Sequence, residues 1–207
     1  MTKWYALLAA MVAAIGLGIG VTIVMLQQPA SDQFAQCRDT RIAGGGGGIG
    51  GPFELVSGSG ETVTQADVIA GPTMVYFGYT YCPDVCPVDL NRNGLTLDVL
   101  AEQGVDGVGA IFITVDPERD GVEEVGAYAG YMHEEMVGLT GERPAIDAAI
   151  ASYRVYASKV GDGEDYLMDH SNFTYLMHPE HGLLDLIRGG ETPQAAAERI
   201  ACFVDHL

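Results

Sequence analysis

The order of apolar runs and helix-periodic segments predicts an α/β fold built on a mixed central sheet. Strand-like runs at Thr73–Phe77 and Ala110–Val115 alternate with helical segments, as in β-α-β units. A later pair of apolar runs flanks Pro179-Glu180-His181-Gly182, the pattern of an antiparallel hairpin. Two cysteines directly follow the first buried run, which puts reactive side chains at the carboxyl end of a central strand, where α/β folds place their sites.

The chain opens on Trp4–Leu26, a segment with no charged residue. About 20 apolar residues suffice to span a bilayer, so this segment is expected to be one N-terminal transmembrane helix. Lys3 is the only charge before it, which keeps the N-terminus cytoplasmic and sends the remainder across the membrane. The alternative, a cleaved signal peptide, fits less well: the apolar run is long, and Gln28-Pro29-Ala30 is a poor cleavage site. Gln27–Thr40 reads as a polar stalk and Gly44–Gly51 as a flexible glycine-rich linker. The expected organisation is therefore a membrane anchor over 1–26, a stalk and linker over 27–51, and a folded domain over 52–207.

Within that domain, Phe53–Val56 alternates as a short strand before the turn Ser57–Gly60. Thr73–Phe77 is apolar throughout and reads as a buried central strand. Val88–Gln103 has helical spacing of leucines and is stopped by Gly104; Pro87 would be its first residue and Cys86 its N-cap. Ala110–Val115 is a second buried strand. Helices follow over Val122–Met132 and Ile146–Tyr153. Asn172–Met177 and Leu183–Ile187 form the hairpin, and Pro193–His206 closes the chain as a helix with Thr192 as N-cap. A thioredoxin-like fold with a mixed central sheet fits this order and the placement of the cysteines.

Ten basic residues face 28 acidic ones, for a net charge of −18. That balance argues against nucleic acid as a partner and is compatible with a basic protein partner or with cation traffic. Phosphate loops, serine nucleophile elbows and HExxH patterns are missing from the sequence.

The chemistry-bearing segment is Thr80-Tyr81-Cys82-Pro83-Asp84-Val85-Cys86-Pro87. Two thiols at this spacing either hold a soft metal or close on each other as a disulfide. A thiol at a helix start is acidified by the helix dipole. A third donor would make the pair a specific site. Of five histidines, His170 stands out because it leads into the predicted strand Asn172–Met177. Two thiolates and one imidazole suit Cu(I); with a water they also suit Zn(II). Asp169 is placed to orient the imidazole, although neighbours on a strand point to opposite faces. His133, His178, His181 and His206 read as bland. Val115-Asp116-Pro117-Glu118-Arg119-Asp120 follows the second buried strand and is either a salt-bridged rim of the same site or an ordinary charged turn. Cys37 and Cys202 either pair, clamping the last helix to the stalk, or remain free thiols, or Cys37 meets a partner chain.

Phe77-Gly78-Tyr79-Thr80-Tyr81-Cys82-Pro83-Asp84-Val85-Cys86-Pro87, then Val115–Asp120, then Asp169-His170-Ser171, in that order, resemble the Sco/SenC family over roughly Gly50 to Cys202. Tyr81 stands where Phe is common and Gly121 where Thr often follows. The resemblance implies a membrane-anchored, thioredoxin-fold metallochaperone on the periplasmic side of the inner membrane. Copper is implied as the ion, with Cys82, Cys86 and His170 as its ligands. Implied partners are the copper-bearing subunit of cytochrome c oxidase, whose CuA site it would help assemble, and another copper chaperone as donor. The competing reading is a thiol-disulfide reductase that uses Cys82 and Cys86 as a redox pair to keep the client's cysteines reduced. Three residues between the thiols, and Met168-Asp169-His170-Ser171 where such enzymes carry a cis-proline, weigh against it; a peroxidase ranks behind both.

Overall fold

The computed structural model describes residues 4, 5, 11, 15, 16, 32–38 and 48–207. The chain divides into Met1–Ala35 and Gln36–Leu207. In the first unit Trp4, Tyr5, Met11 and Ile15 are helical with exposed side chains. Among the described residues no helix is long and apolar enough to cross a membrane; most of the expected span Trp4–Leu26 and of the stalk and linker lies outside those residues.

The second unit is built on a seven-stranded sheet in the order β2-β1-β5-β4-β3-β8-β9. Its strands are β1 (Glu54–Ser57), β2 (Thr62–Thr64), β3 (Thr73–Gly78), β4 (Gly109–Thr114), β5 (Met136–Thr140), β8 (Thr174–His178) and β9 (Gly182–Ile187). β3, β4 and β5 run parallel, and β8 joins β3 antiparallel, opposite Thr73–Tyr76. Every residue of β3 is buried, so both faces of the sheet are covered there. The helices are α1 (Gln65–Val68), α2 (Val85–Glu102), α3 (Val122–Met132), α4 (Arg143–Ser152) and α5 (Pro193–Val204). The Thr192 hydroxyl accepts from the Ala195 amide at 3.2 Å, capping α5 as expected. A separate two-stranded sheet pairs β6 (Ala157–Val160) with β7 (Leu167–His170).

Several sequence expectations need correction. β2, β5, β6 and β7 were not anticipated; all are five residues or shorter, too short for a period of two to declare itself. α4 begins at Arg143 rather than Ile146, with a proline in its first turn. α2 begins at Val85 with Asp84 as N-cap, so Cys86 lies inside the first turn. Pro87 is tolerated there because first-turn amides have no intrahelical acceptor to lose. His170 does not open the hairpin strand: it ends β7, and β8 starts four positions later at Thr174.

Candidate metal centre

The site sits where β3 ends and α2 begins. Gly78 closes β3, and a Cβ there would stand 2.8 Å from the Cys86 sulfur; only glycine lets the thiol approach the strand this closely. The Cys82 amide donates to the Tyr79 carbonyl at 3.3 Å, turning the loop back. The Cys86 amide, an orphan donor of the first helical turn, donates to the Cys82 sulfur at 3.3 Å. Both cysteines are buried and neither is disulfide-bonded.

His170 arrives from the other sheet. It pairs with Ala157 across β6 and β7. Ser171 then fixes the strand end twice, donating its amide to the Tyr156 carbonyl at 2.9 Å and accepting the Tyr156 amide on its hydroxyl at 3.0 Å. His170 Nδ1 donates to the Ser171 carbonyl at 2.9 Å. A carbonyl only accepts, so in the neutral ring the free lone pair is on Nε2, which faces the Cys86 sulfur at 3.3 Å. The edges of Tyr76 and Tyr79 hold the ring, at 6.2 and 5.8 Å between centroids. One ligand atom from each of Cys82, Cys86 and His170 lies within 4.8 Å of the others. Asp169 does not orient the imidazole: it is exposed and pairs with Ser158 on the opposite face.

The two thiols are chemically unequal. Cys86 donates its S–H to Cys82, and together with hydrogen bonds from backbone amides this lowers Cys82 to about 4, against the opposing effect of burial. Cys86 is pushed well above the ordinary thiol range, because ionising it would give up that bond in a buried setting beside an existing thiolate. The pair therefore holds one thiolate, at Cys82.

The acidic loop after β4 is a rim, as one of the two sequence readings held. Buried Asp120 accepts the Thr80 amide at 2.9 Å, the Thr80 hydroxyl at 2.5 Å and the Thr114 hydroxyl at 2.6 Å. The cysteine loop is thus tied to the end of β4. Arg119 pairs with Asp116 at 2.6 Å, donates to the Tyr166 carbonyl at 3.0 Å, and stacks its guanidinium 3.6 Å from the Tyr166 ring and 4.7 Å from the Tyr81 ring. It joins the cysteine loop to the segment that leads into β7.

A buried polar network behind the site was missed from sequence. The Tyr76 hydroxyl donates to Asp89 at 3.3 Å, Asp89 pairs with Arg92 at 3.0 Å, and Arg92 donates to the Thr174 hydroxyl and the Arg188 carbonyl, each at 2.8 Å. Burial holds the Asp89 carboxyl above its usual range, more than Arg92 and Tyr76 lower it. The available signal was Asn93 standing in the Leu90–Leu97–Leu100 stripe of α2: a polar residue on an apolar helix face needs partners.

The remaining candidates lie elsewhere. Cys37 and Cys202 are joined as a disulfide, with 5.6 Å between their Cα atoms. His178 and His181 stack at the hairpin turn, 5.0 Å between ring centres. His133 faces Asp98 at 3.3 Å.

Residues 43–205 match the SCO1/SenC family model. Protein SenC of Rhodobacter capsulatus is 44% identical over 200 residues, which cover 96% of this chain and 88% of SenC. Among solved structures, Arabidopsis thaliana ScoI with copper bound is 37% identical with a TM-score of 0.71, covering 76% of this chain and 99% of that one. Bradyrhizobium japonicum ScoI with copper bound is 39% identical with a TM-score of 0.68, covering 77% and 99%. The mixed sheet and its helices are the thioredoxin-like Sco fold. Sequence and architecture agree, and the chain belongs to the SCO1/SenC family.

Proposed function

We propose that this protein is a copper chaperone that carries one copper ion on Cys82, Cys86 and His170 and assists assembly of the CuA site of cytochrome c oxidase. The observation that carries the reading is the convergence of two sulfurs and an imidazole nitrogen within 4.8 Å. The donor set fits its cargo: sulfur and imidazole are soft donors, few in number, as Cu(I) prefers. The Ser171 carbonyl holds the His170 tautomer that leaves Nε2 free to bind. Family membership and the copper-bound relatives support the same reading. The apolar segment Trp4–Leu26 would anchor residues 52–207 through the stalk on the periplasmic side of the inner membrane, raising the effective concentration beside a membrane-embedded client. The partners would be the copper-bearing oxidase subunit and a second chaperone as donor.

The unequal acidity of the thiols favours one second reading. The Cys82 thiolate would attack a client disulfide, forming a mixed disulfide and expelling one client thiolate. Cys86 would then give up its proton and attack the Cys82 sulfur, leaving a Cys82–Cys86 disulfide and a client dithiol.

An anaerobic titration of the reduced chain with Cu(I), and separately with Cu(II), beside His170→Ala separates the two. One tight copper per chain, weakened at least about tenfold in the variant, is the result expected of a chaperone. Weak binding insensitive to His170 would overturn the ligand assignment and favour the reductase.

A further inference from the structure

A second group of soft donors lies away from the copper site. Cys37, Cys202 and His206 place a sulfur, a sulfur and an imidazole nitrogen within 4.8 Å of one another, the same three donors that Cys82, Cys86 and His170 present. His206 lies two residues beyond the end of α5, and the turn there brings it back beside Cys202. His206 Nδ1 lies 2.7 Å from the Cys202 carbonyl, to which it donates, and 3.9 Å from the Cys37 sulfur. Nε2 is in contact with the side-chain amide of Gln36. A cavity of about 400 Å³ opens beside the disulfide, lined by Gln36, Arg38, Glu198 and Arg199 among others. His206 itself is exposed, so the group is reachable from solvent.

We propose that Cys37, Cys202 and His206 form a second, redox-gated site for Cu(I), closed as a disulfide and opened to a two-sulfur, one-nitrogen donor set when a dithiol reduces the bond. The balance is complete. The dithiol gives two electrons and two protons to the Cys37–Cys202 bond, which breaks into two thiols, and the dithiol leaves as its own disulfide. Binding Cu(I) releases both thiol protons to solvent. The imidazole proton moves from Nδ1 to Nε2, where the Gln36 amide, turned to present its oxygen, accepts it.

The site survives the loss of the covalent bond because the segment has another anchor. Arg38 donates from Nε to the Leu184 carbonyl of β9 at 2.9 Å, so Cys37 stays beside α5 when the sulfurs part. The metal then replaces the disulfide as the clamp between residues 165 positions apart. This assignment is independent of what the Cys82–Cys86–His170 site carries.

The test uses the full chain in detergent micelles with the first site disabled by Cys82→Ser and Cys86→Ser. Cu(I) is offered anaerobically against a chromogenic Cu(I) chelator, before and after treatment with a dithiol that is then removed. The expected result is no Cu(I) on the oxidised chain and one per chain after reduction, with two sulfurs and one nitrogen by X-ray absorption. His206→Ala should lower that affinity at least about tenfold. Equal Cu(I) uptake by the oxidised chain, no uptake after reduction, or an affinity indifferent to His206→Ala would each overturn the proposal. So would loss of the near-UV circular dichroism of the folded chain on reduction, since the site requires Cys37 to stay docked.

Discussion

At the scale of residues, the decisive feature is that two cysteines with the same side chain behave as different acids. Cys82 accepts hydrogen bonds from the Cys86 thiol and backbone amides and is lowered to about 4, while Cys86 is raised by the bond it donates and by its burial. Iodoacetamide should therefore modify Cys82 of the reduced, metal-free chain at neutral pH and spare Cys86, with a rate that stays level as pH falls until it approaches about 4; peptide mapping by mass spectrometry reads the site. Equal labelling of the two would refute the asymmetry. The linkage has a definite sign. Cys82, depressed from 9.0, adds stability that is present at high pH and lost as pH falls from 9.0 toward about 4. Cys86, raised from 9.0, adds stability that is lost as pH rises above 9.0. The pair's stabilisation thus peaks near 9.0, and urea midpoints of the reduced chain against a Cys82→Ser, Cys86→Ser variant should show it. The two thiols were legible in sequence because their spacing is local. Their order of acidity was not, because it depends on which sulfur receives the helix amide, and that turned on a helix starting two residues earlier than the prolines indicated.

At the scale of elements, the site is a junction of three: the loop from β3 to α2, the loop after β4, and the β6–β7 pair. Arg119 crosses all three through Tyr81, Asp116 and Tyr166. Arg119→Ala would leave the 1% exposed Asp116 carboxylate with only the Tyr166 hydroxyl and the Arg143 guanidinium 4.0 Å away and remove three cation–π contacts, a loss of about 1–3 kcal/mol. Urea denaturation should show that fall, and Cu(I) affinity should drop about tenfold as the segment before His170 loosens. Unchanged affinity despite the loss of stability would mean that Arg119 supports the fold and not the site. β3, β4, α2, α3, β8, β9 and α5 were legible because each is long or continuously apolar. β6 and β7 were not: they are four residues each, half-exposed, and depend on each other for hydrogen bonds. Hence the structure brings His170 beside the two cysteines, but from a different strand than the sequence indicated.

At the scale of the whole molecule, the Cys37–Cys202 bond closes a loop of 165 residues. Disulfides over long loops contribute about 2–4 kcal/mol, chiefly by restricting the unfolded chain. Cys202→Ser should lower thermal stability by that order while leaving one copper per chain at Cys82, Cys86 and His170. Loss of that copper would show the two regions to be coupled.

The donors of the proposed copper site come from two different sheets. Both sulfurs ride on the junction of β3 with α2, inside the most deeply buried part of the fold, whereas the imidazole rides on a short ribbon that shares no strand with the main sheet. The arrangement is a vice with one fixed jaw. A displacement of the ribbon alone would remove a single donor and leave the other two at their spacing, so the hold on a bound ion depends on an element outside the main sheet. An acceptor that presses on the ribbon would loosen that grip without disturbing the core.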